Sequence, residues 1–330
     1  MTNKQKDRIK FKDLAEASNV SMVTISRYFN KPEMVSDATR KRIETTIGEM
    51  GYTQDVLARM LATGKSNIIG VIFPHLHSGF YTEILNELIE YGKKQNYVFI
   101  PYTSSSVQEE LNIINNLSSY RIKGLILLSP LLSIPQIESI EIPVITIERA
   151  AGNFMHINND NFEGGRLAAD LLIKNNCEIF VHINNDYDTS WPSFKRIVGF
   201  ECMLSGKVYE KIIDKALTDP QSSAAERAME KLFVKLIKKY PNKKLGVFCS
   251  NDDIAQMFER QCIIHKIVLP DKVELIGYDN SYVSRNAVYP ITSLDQNIAT
   301  MAKLAVDAFD NYVPLEYIVP CSMVKKETTS

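Results

Sequence analysis

DLAEASNVSMVTISRYFN, residues 13–30, contains two short helical patterns with a polar break between them. The first runs from Phe11 to Ser18 and the second from Ser21 to Asn30. The break, SNVS, suits a tight turn, because Asn19 enters the left-handed region more readily than most non-glycine residues. A third pattern follows from Ser36 to Met50, with Ser36 as a helix N-cap and Ile43, Ile47 and Met50 recurring on one face. Two helices joined by a short turn and braced by a third make a helix-turn-helix. On the second helix the spacing groups Ile25, Tyr28 and Phe29 on one face, for packing inward, and Val23, Arg27 and Asn30 on the other. Ser21 as N-cap leaves helix amides free for a phosphate, and Thr24, Ser26 and Asn30 can add contacts to a nucleic-acid backbone. Arg27 is the residue suited to reading a base, since its planar fork matches the two acceptors on the major-groove edge of guanine. Met22 and Val23 fit thymine methyl groups, or else cover a core or another subunit.

The charge balance agrees with a polyanion at one end. The chain of 330 residues has a net charge of −1, yet residues 1–66 hold 12 Lys and Arg against 8 Asp and Glu, and the remainder 26 against 31. The basic head therefore sits on an acidic body. No apolar run approaches a membrane span, and MTNKQKDRIKFKD lacks the apolar core of a signal peptide, so a cytoplasmic protein without membrane contact is expected. Five cysteines at 177, 202, 249, 262 and 321 form no CxxC pair and read as reduced thiols. His75 and His77 alternate as HLH without a third ligand nearby, so no metal or other cofactor is expected. The sequence has no G-x-S-x-G elbow, P-loop or Cys/His nucleophile pairing, and an enzyme with catalytic residues is not expected.

From residue 68 the rhythm changes to short β-branched runs alternating with amphipathic helices. Strands are predicted at 68–74, 97–103, 124–130, 143–149, 178–184, 244–250 and 273–280. Helical stretches such as FYTEILNELIEYGKK and AAERAMEKLFVKLIKK separate them, which implies parallel sheets covered on both faces. So many strands call for two sequential doubly wound subdomains, with a ligand between them at the strand carboxyl ends. The expected class is α/β, with an N-terminal all-α head.

Residues 13–30 resemble the helix-turn-helix signature of the LacI/GalR-type transcription factors, D-V-A-x-x-A-G-V-S-x-x-T-V-S-R-V-L-N. Further similar motifs follow in the family's order: VSDATRKRIETTIGEMGY (35–52), LARMLATGKSNIIGVIFP (57–74), DNFEGGRLAADLLI (160–173), RIVGF (196–200), SNDDIA (250–255), IGYDN (276–280) and PITSLDQ (290–296). Asn19 replaces the usual turn glycine, and Gln54 and Asp55 stand where Pro-Asn usually precedes the hinge. The resemblance implies a DNA-binding domain over 1–53, a hinge helix and linker over 54–66, and a periplasmic-binding-protein-like core over 67–330. Within that core it implies one subdomain of about 67–160 plus 295–320 and another of about 161–292 plus the C-terminal tail. It places Met22, Val23 and Arg27 at base-contacting positions and Leu61 at the leucine wedged into the minor groove. A linker helix with Leu57 and Leu61 packed on the body is the alternative.

The same resemblance implies a small-molecule cleft built by Phe80, Tyr81, Ser129, Glu148, Asp160, Arg196, Asn251, Asp252 and Asp279. Carboxylates and amides pair with adjacent hydroxyls, Arg196 supplies a fork of donors, and an aromatic covers an apolar ring face, which suits a sugar or phosphosugar. Glu148 stands where the family more often has Asp. Asp160 and Asp252 equally suit helix caps, Phe80 and Tyr81 suit a core, and Trp191, the sole tryptophan, suits either a sugar stack or a loop anchor. Within the family the chain looks most like the sucrose-operon repressors of Gram-positive bacteria, which makes sucrose or fructose a candidate effector. The expected partners are a near-palindromic double-stranded operator and a second copy of the chain. The rival readings are a carbon-catabolite regulator controlled by a phosphorylated carrier protein, and a solute-binding protein for transport.

Overall fold

A computed structural model describes residues 9–52, 66–75, 77–149, 152–185 and 191–330. The chain divides into two compact units, Met1–Lys65 and Ser66–Ser330.

In the first unit, α1 spans Phe11–Ala17, α2 Met22–Asn30 and α3 Asp37–Met50, with a 3-10 turn at Pro32–Met34. Asn19 has φ 50° in the turn between α1 and α2, the left-handed step its short side chain tolerates. The Ser21 hydroxyl accepts from the Thr24 amide at 3.1 Å, and the Ser36 hydroxyl accepts from that of Thr39 at 3.4 Å. These caps occupy donors that each helix start would otherwise leave open. Leu14, Ala15, Ile25, Ile43 and Tyr52 are buried together, with Tyr28, Phe29, Ile47 and Met50 packed around them. Phe11 stacks on Phe29 with centroids 5.5 Å apart.

In the second unit the first sheet forms from β1 (Ile68–Phe73), β2 (Val98–Thr103), β3 (Gly124–Leu128), β4 (Val144–Ile147) and β5 (Met155–Asn159). Helices α4 (Gly79–Lys94), α5 (Val107–Ser119) and α6 (Ile134–Glu138) connect them. The second sheet takes β6 (Ile179–Asn184), β7 (Val208–Ile213), β8 (Leu245–Cys249), β9 (Val273–Asp279) and β10 (Thr292–Asp295). Here α7 (Asn161–Lys174) precedes β6, and α8 (Phe194–Cys202), α9 (Ser223–Lys239), α10 (Asp252–Ile264) and α11 (Tyr282–Arg285) follow in turn. The chain then returns to the first subdomain with α12 (Ile298–Asp307) and β11 (Glu316–Val319), and to the second with β12 (Ser322–Val324).

The sheet orders are β11-β5-β4-β3-β1-β2 and β12-β10-β9-β8-β6-β7. All pairings are parallel except β10 with β12. Central strands such as β3 and β8 are buried along their whole length, as continuous apolar runs between two helical layers must be. The architecture is therefore α/β with two doubly wound sheets and a helical head, as expected. Five strands were not foreseen: β5, β7, β10, β11 and β12. The strand order reverses between β1 and β3 in one sheet and between β6 and β8 in the other, which opens a crevice at those carboxyl ends.

Candidate functional site

Two surfaces carry the residues singled out in the sequence. On the first unit, α2 turns Ile25 fully inward and leaves Ser21, Met22, Val23, Ser26 and Arg27 exposed. Met22 and Val23 keep 56% and 59% of their surface open to solvent, so neither serves the core of this unit. Thr24 is half-buried, its hydroxyl 2.9 Å from that of Ser21. Leu61 and the side chain of Asn30 lie outside the described residues, as do residues 54–65 of the hinge expected over 54–66.

The second surface is a cavity of about 310 Å³ in the second unit, a size for a small molecule rather than a polymer. Its walls come from strand carboxyl ends: Pro74 and His75 after β1, Ser129 after β3, Glu148 after β4, Asn184 and Asn185 at β6, Ser250 and Asn251 after β8, and Asp279 closing β9. Three of these strand-end residues have left-handed backbones, Ser129 at φ 45°, Glu148 at 58° and Asp279 at 112°. Non-glycine residues hold such angles at a cost of order 1–3 kcal/mol, and such residues cluster at ligand sites.

Arg196 is positioned by a close helix crossing. A Cβ at Gly165 on α7 would lie 2.1 Å from the Arg196 carbonyl oxygen, and one at Gly199 on α8 would lie 1.9 Å from that of Phe162. Only hydrogen at both positions lets the two backbones meet and sets Arg196 into the cleft. There Nε donates to Asn161 Oδ1 at 2.6 Å and Nη1 to the Ser250 carbonyl at 2.6 Å. Nη2 stands 3.8 Å from Glu148 Oε2, and the guanidinium lies 3.6 Å from the centre of the Tyr278 ring. A buried cation is sustained by such paired contacts. Glu148 accepts from the Asn159 amide at 2.9 Å and from Asn161 Nδ2 at 3.3 Å.

Asp279 accepts from Gln296 Nε2. Burial pushes its carboxyl well above the ordinary range; the Arg196 charge opposes that rise and the neighbouring Asp252 adds to it. Asp253 is also raised by burial, while hydrogen bonds from the Ser78 side chain and the Gly79 amide pull the other way. Tyr81, hydrogen-bonded to Ser129, is pushed by burial to about 12. His75 is held below its ordinary value by burial and by the charge of His77.

Of the residues expected to form the cleft, Phe80, Tyr81, Ser129, Glu148, Trp191, Arg196, Asn251 and Asp279 line this cavity. Phe80 is also part of the first core, and Asn251 also caps α10, accepting from the Ile254 amide at 2.9 Å. Trp191 faces the Arg149 guanidinium at 5.4 Å. Asp160 and Asp252 are not among the lining residues. Asp160 caps α7, accepting from the Glu163 amide at 3.1 Å. Asp252 is fully buried, accepting from the Ser281 amide and hydroxyl at 2.7 and 2.9 Å and from the Ser293 hydroxyl at 2.6 Å; burial pushes its carboxyl to about 6. The sequence reading missed Asn184, Asn185, Ser250, Asp253 and Gln296. Each sits at or just beyond a strand's carboxyl end, and applying the crevice rule to every strand would have found them. Among the described residues, no group of three or more His, Cys, Asp and Glu could hold a metal ion, and no helix is long and apolar enough to cross a membrane.

Comparison with known proteins matches residues 10–55 to the lacI family of bacterial regulatory proteins and residues 169–326 to the periplasmic binding protein-like domain. The sucrose operon repressor of Streptococcus mutans is 28% identical over 326 residues, spanning 97% of this chain and 99% of that protein. The ribose operon repressor of Halalkalibacterium halodurans is 24% identical over 327 residues, spanning 96% of each. Among solved structures, the Lac repressor dimer bound to operator and the anti-inducer ONPF superimposes with a TM-score of 0.79 at 20% identity, covering 98% of this chain and 99% of that one. That likeness is one of fold.

Proposed function

As a member of the lacI family of bacterial regulatory proteins, the chain is a DNA-binding transcriptional regulator, and we propose that it represses a sugar-utilisation operon, with operator affinity governed by a small sugar in the cleft. The observation that carries this reading is the union, in one chain, of a helix presenting Met22, Val23 and Arg27 to solvent with a cavity lined by hydroxyls, amides and carboxyls at strand ends. Similarity to repressors of sucrose and ribose operons supports the sugar.

The protein acts in the cytoplasm as a homodimer, and two-fold symmetry of the dimer asks for a near-palindromic operator. The capped start of α2 meets phosphate, with Ser21, Thr24, Ser26 and Asn30 holding the backbone. Arg27 reads a guanine, and Met22 and Val23 contact thymine methyls. In the hinge of residues 54–66, Leu61 enters the minor groove. In the cleft Arg196, Glu148 and Asp279 engage ligand hydroxyls, Asn251 adds an amide, and Trp191 with Tyr81 borders the ring. Ligand binding shifts the subdomains and with them the hinges, which lowers operator affinity.

Selection of binding sites from random duplex DNA tests the DNA half of this account. The expected sites have two inverted half-sites, each with a guanine and adjacent thymines. Arg27→Ala then relaxes the preference at the guanine and loses roughly 1 to 3 kcal/mol of binding. A uniform loss across all operator variants would show Arg27 gripping phosphate instead.

A further inference from the structure

Resting on the reading of the cavity as a sugar site, we propose that it selects uncharged polyols and rejects their phosphate esters. The lining carries three carboxyl groups, Glu148, Asp253 and Asp279, against the one guanidinium of Arg196. That guanidinium is already engaged by Asn161, the Ser250 carbonyl and Glu148. Arg149 is not a lining residue: its Nη2 donates to the Leu132 carbonyl at 3.0 Å and its guanidinium faces Trp191, with the charge of buried Glu110 within reach, while its Nε is buried without a partner among the described residues. His75 of the lining is held below its ordinary value by burial and by His77, so among the described residues no cation of the lining is left for a phosphate, which would enter as a dianion among carboxyls.

Hydrogen-bond polarity points the same way. Gln296 spends its amide N–H on Asp279, while its Oε1 is buried with no partner among the described residues. This acceptor calls for a ligand that donates. A sugar hydroxyl donates; a phosphate dianion only accepts. Burial pulls the carboxyls of Asp253 and Asp279 upward, the direction in which added negative charge is disfavoured.

The test titrates the full-length protein with matched pairs: fructose and fructose 6-phosphate, glucose and glucose 6-phosphate, sucrose and sucrose 6-phosphate. Trp191 fluorescence and thermal shift report binding, since the only tryptophan of the chain lines the cavity. At least one parent sugar is expected to bind, and its phosphate ester to bind more than about tenfold more weakly. Asp253→Asn, which removes one carboxylate, is expected to narrow that ratio. A phosphate ester binding as tightly as its parent overturns the inference and leaves the sugar reading standing; an unchanged ratio in Asp253→Asn overturns its electrostatic basis. Silence from every member of every pair overturns both.

Discussion

His182 lies on β6 with no exposed surface, its ring 4.9 Å from that of Phe248 and 5.8 Å from that of Phe200. Burial, with the nearby Arg196 charge, holds its imidazole down to about 3 from an ordinary 6.5. The unfolded chain therefore binds this proton more readily than the folded one. Its neutral form is matched to the fold above about pH 6.5, and stability is lost progressively as pH falls from there toward 3. His182→Leu removes the titrating group, so melting temperature should fall less steeply between pH 7 and pH 4 in the variant, whatever the difference at pH 7. Parallel curves would contradict this assignment. The residue scale also shows where sequence reading succeeds. Arg196, Glu148 and Asp279 stand in recognisable motifs at strand or helix ends, whereas nothing local distinguishes Asp253, which lines the cavity, from Asp252, which faces Ser281, Ser284 and Ser293.

Among elements, the α7–α8 crossing depends most narrowly on residue size. Gly199→Ala drives a methyl into the Phe162 carbonyl, an atom of backbone that cannot swing aside. The two helices must part, carrying Arg196 with them. A loss of roughly 1–3 kcal/mol is expected, with weaker sugar binding reported by Trp191. Gly48 on α3 is the control, since a Cβ there meets nothing within 4 Å; Gly48→Ala should gain about 0.5–1 kcal/mol. Calorimetry on both variants decides, and equal melting temperatures would contradict the account. Strands with continuous apolar runs were legible because their composition reports burial on both faces. β5, reading MHINN, was not: His156, Asn158 and Asn159 are buried polar residues, and only tertiary partners explain them. β7, reading VYEKII, sits at a sheet edge with none of its residues fully buried, so charge interrupts its pattern.

At the scale of the second unit, the chain crosses between subdomains after β5, β10 and β11. Asn159 joins all three crossings: its Nδ2 donates to the Gln296 carbonyl at 3.2 Å and to the Val319 carbonyl at 2.9 Å, and its Oδ1 accepts from the Tyr278 hydroxyl at 2.5 Å. Tyr278 in turn underlies Arg196. Farther along the cleft, Arg285 pairs with Glu83 of the facing subdomain at 2.7 Å, and Asp253 bonds Ser78 and Gly79 across it. The cavity-lining residues thus connect directly to the crossings between subdomains and to groups that bridge the two halves, a physical route from an occupied cavity to subdomain arrangement. None of this was legible beforehand, because bonds between residues 119, 137 and 160 positions apart leave no periodicity in sequence. The most direct test measures the affinity of the selected operator by fluorescence anisotropy while the sugar that moves Trp191 is titrated. The account predicts that operator affinity falls with the same midpoint as the tryptophan signal, corrected for the reciprocal linkage of the two ligands; saturation of Trp191 with operator affinity unchanged would contradict it.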